Sequence, residues 1–199
     1  DNIRVTLFGE SHGSSVGALL EGIPPGTKID NDALVRELER RKPGRKGMSR
    51  RLEADQCEIL SGVYEGRATG WPILIIARNN DAKSSDYGFL PDHPRPGHAD
   101  MVEIERSGGA ADLRGGGSQS ARLTLGLVAA ASQTRQLLSE RGIHVRAHLH
   151  SVGDSQSRSL LDLDQTDEVQ KESMQRLNCL DPEASELFSS VIESSRKEL

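Results

Sequence analysis

Two histidines lie beside glycines in segments that have the composition of turns. His12 belongs to FGESHG (residues 8–13), which follows the apolar stretch IRVTLF, so a strand would carry this histidine to a sharp turn. His98 belongs to RPGHAD (residues 95–100). An imidazole titrates near neutral pH, so both side chains are candidates for proton transfer. The competing interpretations are that Ser11 caps a following helix with His12 as a turn residue, and that His98 is a surface histidine.

The segment RGGGSQSAR (residues 114–122) has the composition of an anion-binding loop. Its three glycines permit close backbone approach, Ser118 and Ser120 supply hydroxyls, and the helix expected to follow presents N-terminal amides. The spacing differs from that of a P-loop, which ends in Gly-Lys-Ser/Thr. A flexible glycine linker is the alternative interpretation.

Arginines cluster next to these segments. Guanidinium groups bind phosphate and carboxylate through two parallel hydrogen bonds, so a pocket for a multiply charged anion would need several of them. Their usual alternative is a solvated surface. The candidates are Arg40, Arg41, Arg45, Arg50, Arg51, Arg95, Arg114 and Arg122.

Hydrophobic periodicity predicts the elements that must position these residues. A helix capped by one of residues 30–32 runs to Lys42, where Pro43-Gly44 ends it. Residues 79–118 are rich in glycine, proline and aspartate and are predicted to be loop. The other predicted elements are strands at 3–8 and 16–22, a β-hairpin of 57–66 with 71–79 joined by the turn RATG, a helix over 120–141, a strand within 141–154 and a helix from Pro182.

The composition limits the class of protein. The 199 residues, 35% hydrophobic and 28% charged, are typical of a soluble globular protein with one domain or two small ones. A net charge of -5 and 3% aromatic residues argue against nucleic-acid binding. No apolar run approaches the roughly 20 residues of a membrane helix, so no membrane partner is expected and a cytoplasmic location follows by default. Cys57 and Cys179 fit no metal or redox motif, and His148 and His150 have no third ligand, so no metal is expected.

In their order and spacing, these motifs resemble the chorismate synthase family. The resemblance rests on TLFGESHGSSVGALLEGIPPG (6–26), RRKPG (40–44), EILSGVYEGRATGWPI (58–73), RPGHAD, RGGGSQSAR and NCLDPEASELFSSVIESSRKEL (178–199). It implies an α+β fold, a layered β/α/β sandwich, of which residues 1–199 would be the N-terminal part of a single domain. It also implies assembly as a homo-oligomer, a tetramer in the family. The chain looks like about the first half of a family member, without the later GRHDPC-like motif.

The resemblance implies a lyase of aromatic amino-acid biosynthesis. Such enzymes eliminate phosphate from 5-enolpyruvylshikimate 3-phosphate in a 1,4-anti sense to give chorismate, with reduced FMN donating an electron transiently. The family is also associated with NADPH, and how the FMN is reduced stays open. By resemblance, His12 protonates the flavin and His98 serves the leaving phosphate. The implied flavin contacts are Ser11, Ser118, Gln119 and Ser120, and the implied substrate contacts are Arg41, Arg45, Arg50, Arg95 and Arg122.

Two departures from the family pattern bear on these assignments. Ser118, Gln119 and Ser120 stand where the family usually has Arg-Ser-Ser, so one cationic flavin contact is lost. The basic loop differs in length from common family forms, so Arg50 can take the place of Arg45. Two other functions stay open from the residues alone: a non-catalytic anion- or nucleotide-binding module, and a histidine-dependent phosphoester hydrolase.

Overall fold

The structure is a computed structural model that describes residues 2–41, 55–79, 84–164, 174 and 177–197. Its described residues form two compact units, one up to Ile143 and a second from His144 onward. The prediction that residues 1–199 are part of a single domain stays a prediction. No helix in the described ranges is both long enough and apolar enough to cross a membrane.

The described part of the first unit contains six strands and three α-helices. The strands are β1 (Arg4–Gly9), β2 (Ser15–Glu21), β3 (Cys57–Ile59), β4 (Val63–Tyr64), β5 (Arg67–Ala68) and β6 (Ile73–Arg78), and the α-helices are α1 (Asn31–Arg41), α2 (Asp100–Ser107) and α3 (Thr124–Ser139). Four of the strands form an antiparallel sheet of order β1-β2-β6-β3, and β4 pairs with β5 in a two-stranded ribbon. The register of the sheet places Leu7 opposite Ala18 and Val16 opposite Ala77.

Helix α3 packs on one face of this sheet, and helix α1 packs against α3, so both contribute to the core. Val16, Ala18 and Leu20 alternate along β2, so all three side chains lie on the same face, where they are fully buried. Leu125 and Ala129 of α3, one turn apart, belong to the same core and are also fully buried. This packing fixes the FGESHG segment at one end of the sheet, between β1 and β2.

The second unit is built around helix α4 (Pro182–Lys197) and a short hairpin of β7 (Ser151–Val152) with β8 (Ser155–Gln156). Phe188 and Cys179 are fully buried in its core. Arg158 donates three hydrogen bonds to Asp181, from its backbone N, Nε and Nη2 atoms. Helix α4 begins at Pro182, so the helix predicted from that residue is confirmed.

Most of the predicted elements of the first unit are confirmed. β1 covers most of the predicted strand at 3–8, and α3 covers most of the predicted helix over 120–141, preceded by a 3-10 turn at Ala121–Leu123. Asp30 caps α1, because its Oδ1 accepts a hydrogen bond of 2.8 Å from the backbone N–H of Ala33. The predicted end of this helix at Lys42 and Pro43 lies outside the described residues.

The predicted hairpin of residues 57–79 is only partly right. β3 and β6 pair as expected, but RATG is not the turn, since Arg67–Ala68 is itself a strand. The turn is Glu65-Gly66, where both residues have positive φ (47° and 73°), the geometry that suits a two-residue hairpin loop. A short ribbon is thus inserted between the two longer strands.

One further prediction is wrong and another is only partly right. Residues 79–118 contain helix α2, whose outward-facing Met101 and Val102 obscure the apolar period, although Gly108 ends the helix in the left-handed conformation that such caps favour. The strand predicted within residues 141–154 is confirmed only at β7, because Ile143 and Val145 are exposed and gain nothing from a sheet face.

Candidate active site

The FGESHG turn places His12 in the hairpin that joins β1 to β2. The His12 side chain is buried, and its Nδ1 lies 3.2 Å from the hydroxyl of Ser11. That hydroxyl donates to the carbonyl of Arg114 (3.0 Å), and the Ser11 backbone N–H donates to the carbonyl of Gly117 (3.2 Å). A strand follows the turn, so the alternative in which Ser11 caps a helix is wrong.

The glycine loop, residues 114–119, contacts both histidines. Gly115 and Gly116 have φ of 61° and 96°, a region that side chains disfavour. A Cβ on Gly115 would overlap the ring of His12, and a Cβ on Gly116 would lie 2.9 Å from both Cε1 and Nε2 of His98. Successive glycines therefore let both imidazoles lie against one loop. These contacts argue against the interpretation of this segment as a free linker.

The Nε2 atom of His12 is buried and has no hydrogen-bond partner among the described residues. An unpaired polar atom in a buried position costs free energy, so such atoms usually face a ligand or water. The ring of Tyr87 packs edge-on against the His12 ring, with 5.1 Å between their centroids. The Tyr87 ring thus packs against the His12 imidazole, and Nε2 keeps its capacity to form a hydrogen bond with a ligand.

His98 belongs to a cluster with Asp100 and Arg95. Its Nδ1 lies 2.9 Å from Oδ1 of Asp100, whose side chain is 1% exposed. Arg95 donates to the same carboxylate from its backbone N (2.9 Å), Nε (2.8 Å) and Nη2 (2.7 Å). These hydrogen bonds hold the pKa of Asp100 well below its usual range. The guanidinium carbon of Arg95 also lies 5.6 Å from the ring centroid of Tyr87, so Tyr87 contacts both histidine clusters.

A second carboxylate, Asp55, organises two more of the predicted arginines. Its Oδ2 lies 2.5 Å from Nη1 of Arg41, and its Oδ1 accepts from Nη1 of Arg122. Nε of Arg122 donates to Oδ1 of Asn79 (3.1 Å), and the amide of Asn79 donates to the carbonyls of Glu10 (3.0 Å) and Gly13 (2.8 Å). This chain of contacts ties the arginine cluster to the FGESHG turn.

The remaining predicted contacts differ in their surroundings. Ser118 is exposed at the rim of a cleft, whereas Gln119 donates to Glu103 (3.0 Å) and the Ser120 hydroxyl accepts from the backbone of Arg122 (3.2 Å). The last two side chains therefore brace the glycine loop. Arg45 and Arg50 lie outside the described residues, so the alternative between them stays open.

The cleft beside the glycine loop has a volume of about 230 Å³ and is lined by His98 and Gly116. Its described lining carries more carboxylates than cations, so it differs from the arginine-rich pocket that the sequence suggests. The charged residues along it are Glu10, Asp100, Glu103, Asp112 and Arg106. Of the arginines predicted to bind substrate, Arg41 and Arg122 lie against Asp55, and Arg95 lies against Asp100.

Burial raises the pKa of both cysteine thiols. Burial raises the pKa of the Cys57 thiol to about 11, so it stays protonated at neutral pH. The rings of His148 and His150 lie 6.1 Å apart, and within the described residues no group of three or more metal-ligating side chains gathers.

Four residues of the site were not predicted from the sequence: Asp55, Asn79, Tyr87 and Asp100. Asp100 had a detectable signal, since it lies in the RPGHAD segment two residues after His98. Asp55 and Asn79 had none, because their arginine partner is distant in the chain.

The fold and site define a class: an α+β protein in which a glycine loop holds two histidines beside carboxylate-paired arginines. A profile of the family described as chorismate synthase matches residues 3–199, so the chain belongs to the chorismate synthase family. The recognition made from the motifs is therefore confirmed.

Relatives called chorismate synthase support the same assignment. The chain is 46% identical to one from Aeropyrum pernix over 196 residues, which is 98% of this chain and 51% of that protein. It is 40% identical to one from Methanosarcina mazei, over 98% of this chain and 53% of that protein. The chain thus spans about half the length of these relatives.

A solved structure described as "Crystal Structure of Chorismate Synthase" is also similar. It matches with a TM-score of 0.69 and 27% identity, over 100% of this chain and 54% of that one. The expected α+β fold of the chorismate synthase type is therefore confirmed.

Proposed function

We propose that this chain supplies about half of a chorismate synthase, a carbon–oxygen lyase that releases phosphate from 5-enolpyruvylshikimate 3-phosphate and forms chorismate. The observation that carries the proposal is the placement of His12 and His98 against Gly115 and Gly116, in a chain that belongs to this family. Two groups able to transfer protons lie at one loop, as an elimination with a phosphate leaving group requires.

The residues around His12 fit a reduced FMN cofactor. The buried Nε2 of His12 needs a hydrogen-bond partner, and the exposed Ser118 provides a hydroxyl within the glycine loop. FMN, when bound, would supply an electron transiently and recover it. Ser11 would support His12 through its Nδ1 contact, while Gln119 and Ser120 would keep the loop in shape.

His98 would protonate the departing phosphate. Its Nδ1 faces Asp100, so Nε2 is the atom left for the substrate. A general acid placed at a leaving group contributes roughly 100- to 10,000-fold to the rate. This role needs His98 to be held in one orientation, and the Asp100 contact supplies that restraint.

The substrate has two carboxylates and a phosphate, which the arginines would bind. A guanidinium has five N–H donors, so Arg41 and Arg95 can pair with an aspartate and still donate to an anion. The carboxylates would hold these side chains in fixed orientations, which lowers the entropy lost on binding. Arg45 and Arg50 are proposed to complete the set.

The proposed setting follows the family. We expect a cytoplasmic homotetramer that binds a small-molecule substrate and no nucleic acid or membrane. Light scattering after size-exclusion chromatography would test the oligomeric state, and a strictly monomeric enzyme would contradict it.

A chimera tests the proposed reaction. These 199 residues would replace the matching half of the Aeropyrum pernix relative, and chorismate would be followed by absorbance under anaerobic conditions with chemically reduced FMN. We expect turnover that His98→Ala lowers by roughly 100-fold or more, because general acid catalysis is lost. His93→Ala is the matched control, since His93 is exposed and close in sequence. Wild-type turnover in the His98 variant would refute the assigned role.

The same assay separates the alternatives. A phosphoester hydrolase would release phosphate with water consumed and no chorismate formed, and it would not need FMN. A non-catalytic anion-binding module would bind phosphate without releasing product.

A further inference from the structure

Asp100 is the first residue of helix α2 and the most deeply buried charged side chain that contacts His98. Only 1% of its side chain is exposed, against 30% for the side chain of His98. A carboxylate in such a place needs strong partners, because burial alone disfavours its charge. Arg95 provides them with three hydrogen bonds from its backbone and guanidinium.

The Nδ1 atom of His98 has two neighbours that make opposite demands. Oδ1 of Asp100 lies 2.9 Å away and can only accept a hydrogen bond, so it requires a proton on Nδ1. Nη2 of Arg95 lies 3.3 Å away and can only donate, so it requires a lone pair there. The contact with Asp100 is an ion pair, is the shorter of the two, and brings a full negative charge beside Nδ1, which favours a proton on that nitrogen.

The other ring nitrogen faces the glycine loop. A Cβ placed on Gly116 would lie 2.9 Å from Nε2, so this atom is directed at a loop that has no side chain there. If Nδ1 carries the proton, Nε2 has the lone pair in the neutral ring and gains the transferable proton when the ring is charged.

We propose that Asp100 is a positioning residue that fixes the tautomer of His98, keeping the proton on Nδ1 and Nε2 directed at the glycine loop. Arg95 contributes indirectly by holding the carboxylate in place. The geometry carries this proposal, and only its kinetic consequence rests on the proposed function.

Asp100→Asn keeps the shape of the side chain but replaces one carboxylate oxygen, an acceptor, by an NH2 group, a donor. Oδ2 of Asp100 accepts from both the backbone N and Nε of Arg95, so the amide oxygen of asparagine would occupy that position. Its NH2 group would then face Nδ1 of His98 as a donor. We expect the ring to move its proton to Nε2, which leaves no lone pair there.

Ring 15N chemical shifts measure the tautomer directly in the 199-residue chain at alkaline pH, with His98→Gln to assign the signals. We expect Nδ1–H to predominate in the unaltered chain and Nε2–H in Asp100→Asn. Asp181→Asn is the matched control, because Asp181 is buried and accepts the same three arginine hydrogen bonds from Arg158. It should leave the His98 signals unchanged.

Two results would overturn the proposal. One is a predominance of Nε2–H in the unaltered chain, which needs no variant to fold. The other is an unchanged tautomer ratio in Asp100→Asn, provided the variant keeps the native circular dichroism spectrum.

The chimera adds a kinetic measurement. Asp100→Asn should lower kcat by roughly 100-fold with little change in KM, and His98→Ala combined with it should add no further loss, since the two residues act as one unit. A full additive loss in the double variant would overturn the positioning role. An inactive unaltered chimera would refute the proposed function instead, while the tautomer measurement would still decide the inference.

Discussion

Removing the Asp55 carboxylate should lower the free energy of unfolding of the first unit more than removing one partner of an exposed ion pair does. The side chain of Asp55 is 1% exposed and that of Arg122 is 7% exposed, so Asp55→Ala leaves a buried guanidinium without its carboxylate. Arg41 is 21% exposed and can turn toward water, so the cost falls mainly on Arg122. Breaking one partner of a buried pair costs about 3–5 kcal/mol.

The measurement is urea unfolding of the 199-residue chain followed by circular dichroism, together with its melting temperature. A loss of about 3 kcal/mol corresponds to a melting temperature roughly 6–12 °C lower in a chain of this size. The control is Glu58→Ala, which breaks an exposed pair with Arg78 and should cost less than about 1 kcal/mol.

A second substitution tests the physical reason. Arg122→Met in the Asp55→Ala background removes the buried guanidinium, so it should recover much of the lost free energy of unfolding. The reasoning would be refuted if Asp55→Ala unfolded within about 1 kcal/mol of the unaltered chain. It would also fail if Arg122→Met lowered the stability of that variant further.

Three other predictions concern the glycine loop, acid stability and turnover. Gly115→Ala should displace the His12 ring and lower the free energy of unfolding by about 1–3 kcal/mol, because the added Cβ overlaps that ring and φ at this position is positive. The NMR signals of the His12 ring and urea unfolding would check this, and unchanged ring signals would contradict it. Because the folded pKa of Asp100 is depressed, its contribution to stability is present above the unfolded pKa and is lost as pH falls through the folded value. Melting temperatures should therefore decline less steeply below about pH 4 in Asp100→Asn than in the unaltered chain, and equal slopes would rule this out. The 199-residue polypeptide alone should form no chorismate with reduced FMN, since it spans about half of its relatives and a partial site loses preorganisation; robust turnover would show that the site is complete within it.

Local chemistry in the sequence determined much of this protein. Asp30 caps α1 with a side chain that reaches three residues along the chain, and the apolar alternation of β2 selects its buried face without reference to any other segment. The FGESHG turn likewise follows from a strand and two glycines. Such features depend on hydrogen bonds and periodicity within a few residues, so they can be predicted from the sequence.

Contacts between distant segments were decided only by the tertiary structure. Asp55 and Arg122 are 67 positions apart, and no local pattern indicates that this carboxylate forms an ion pair with this arginine. The strand predicted within residues 141–154 forms only at Ser151–Val152, because residues 143–150 form no ladder with any strand in the described part of the chain. A strand or an ion pair needs its partner in space, and the sequence gives the type of each group but not the distance between them.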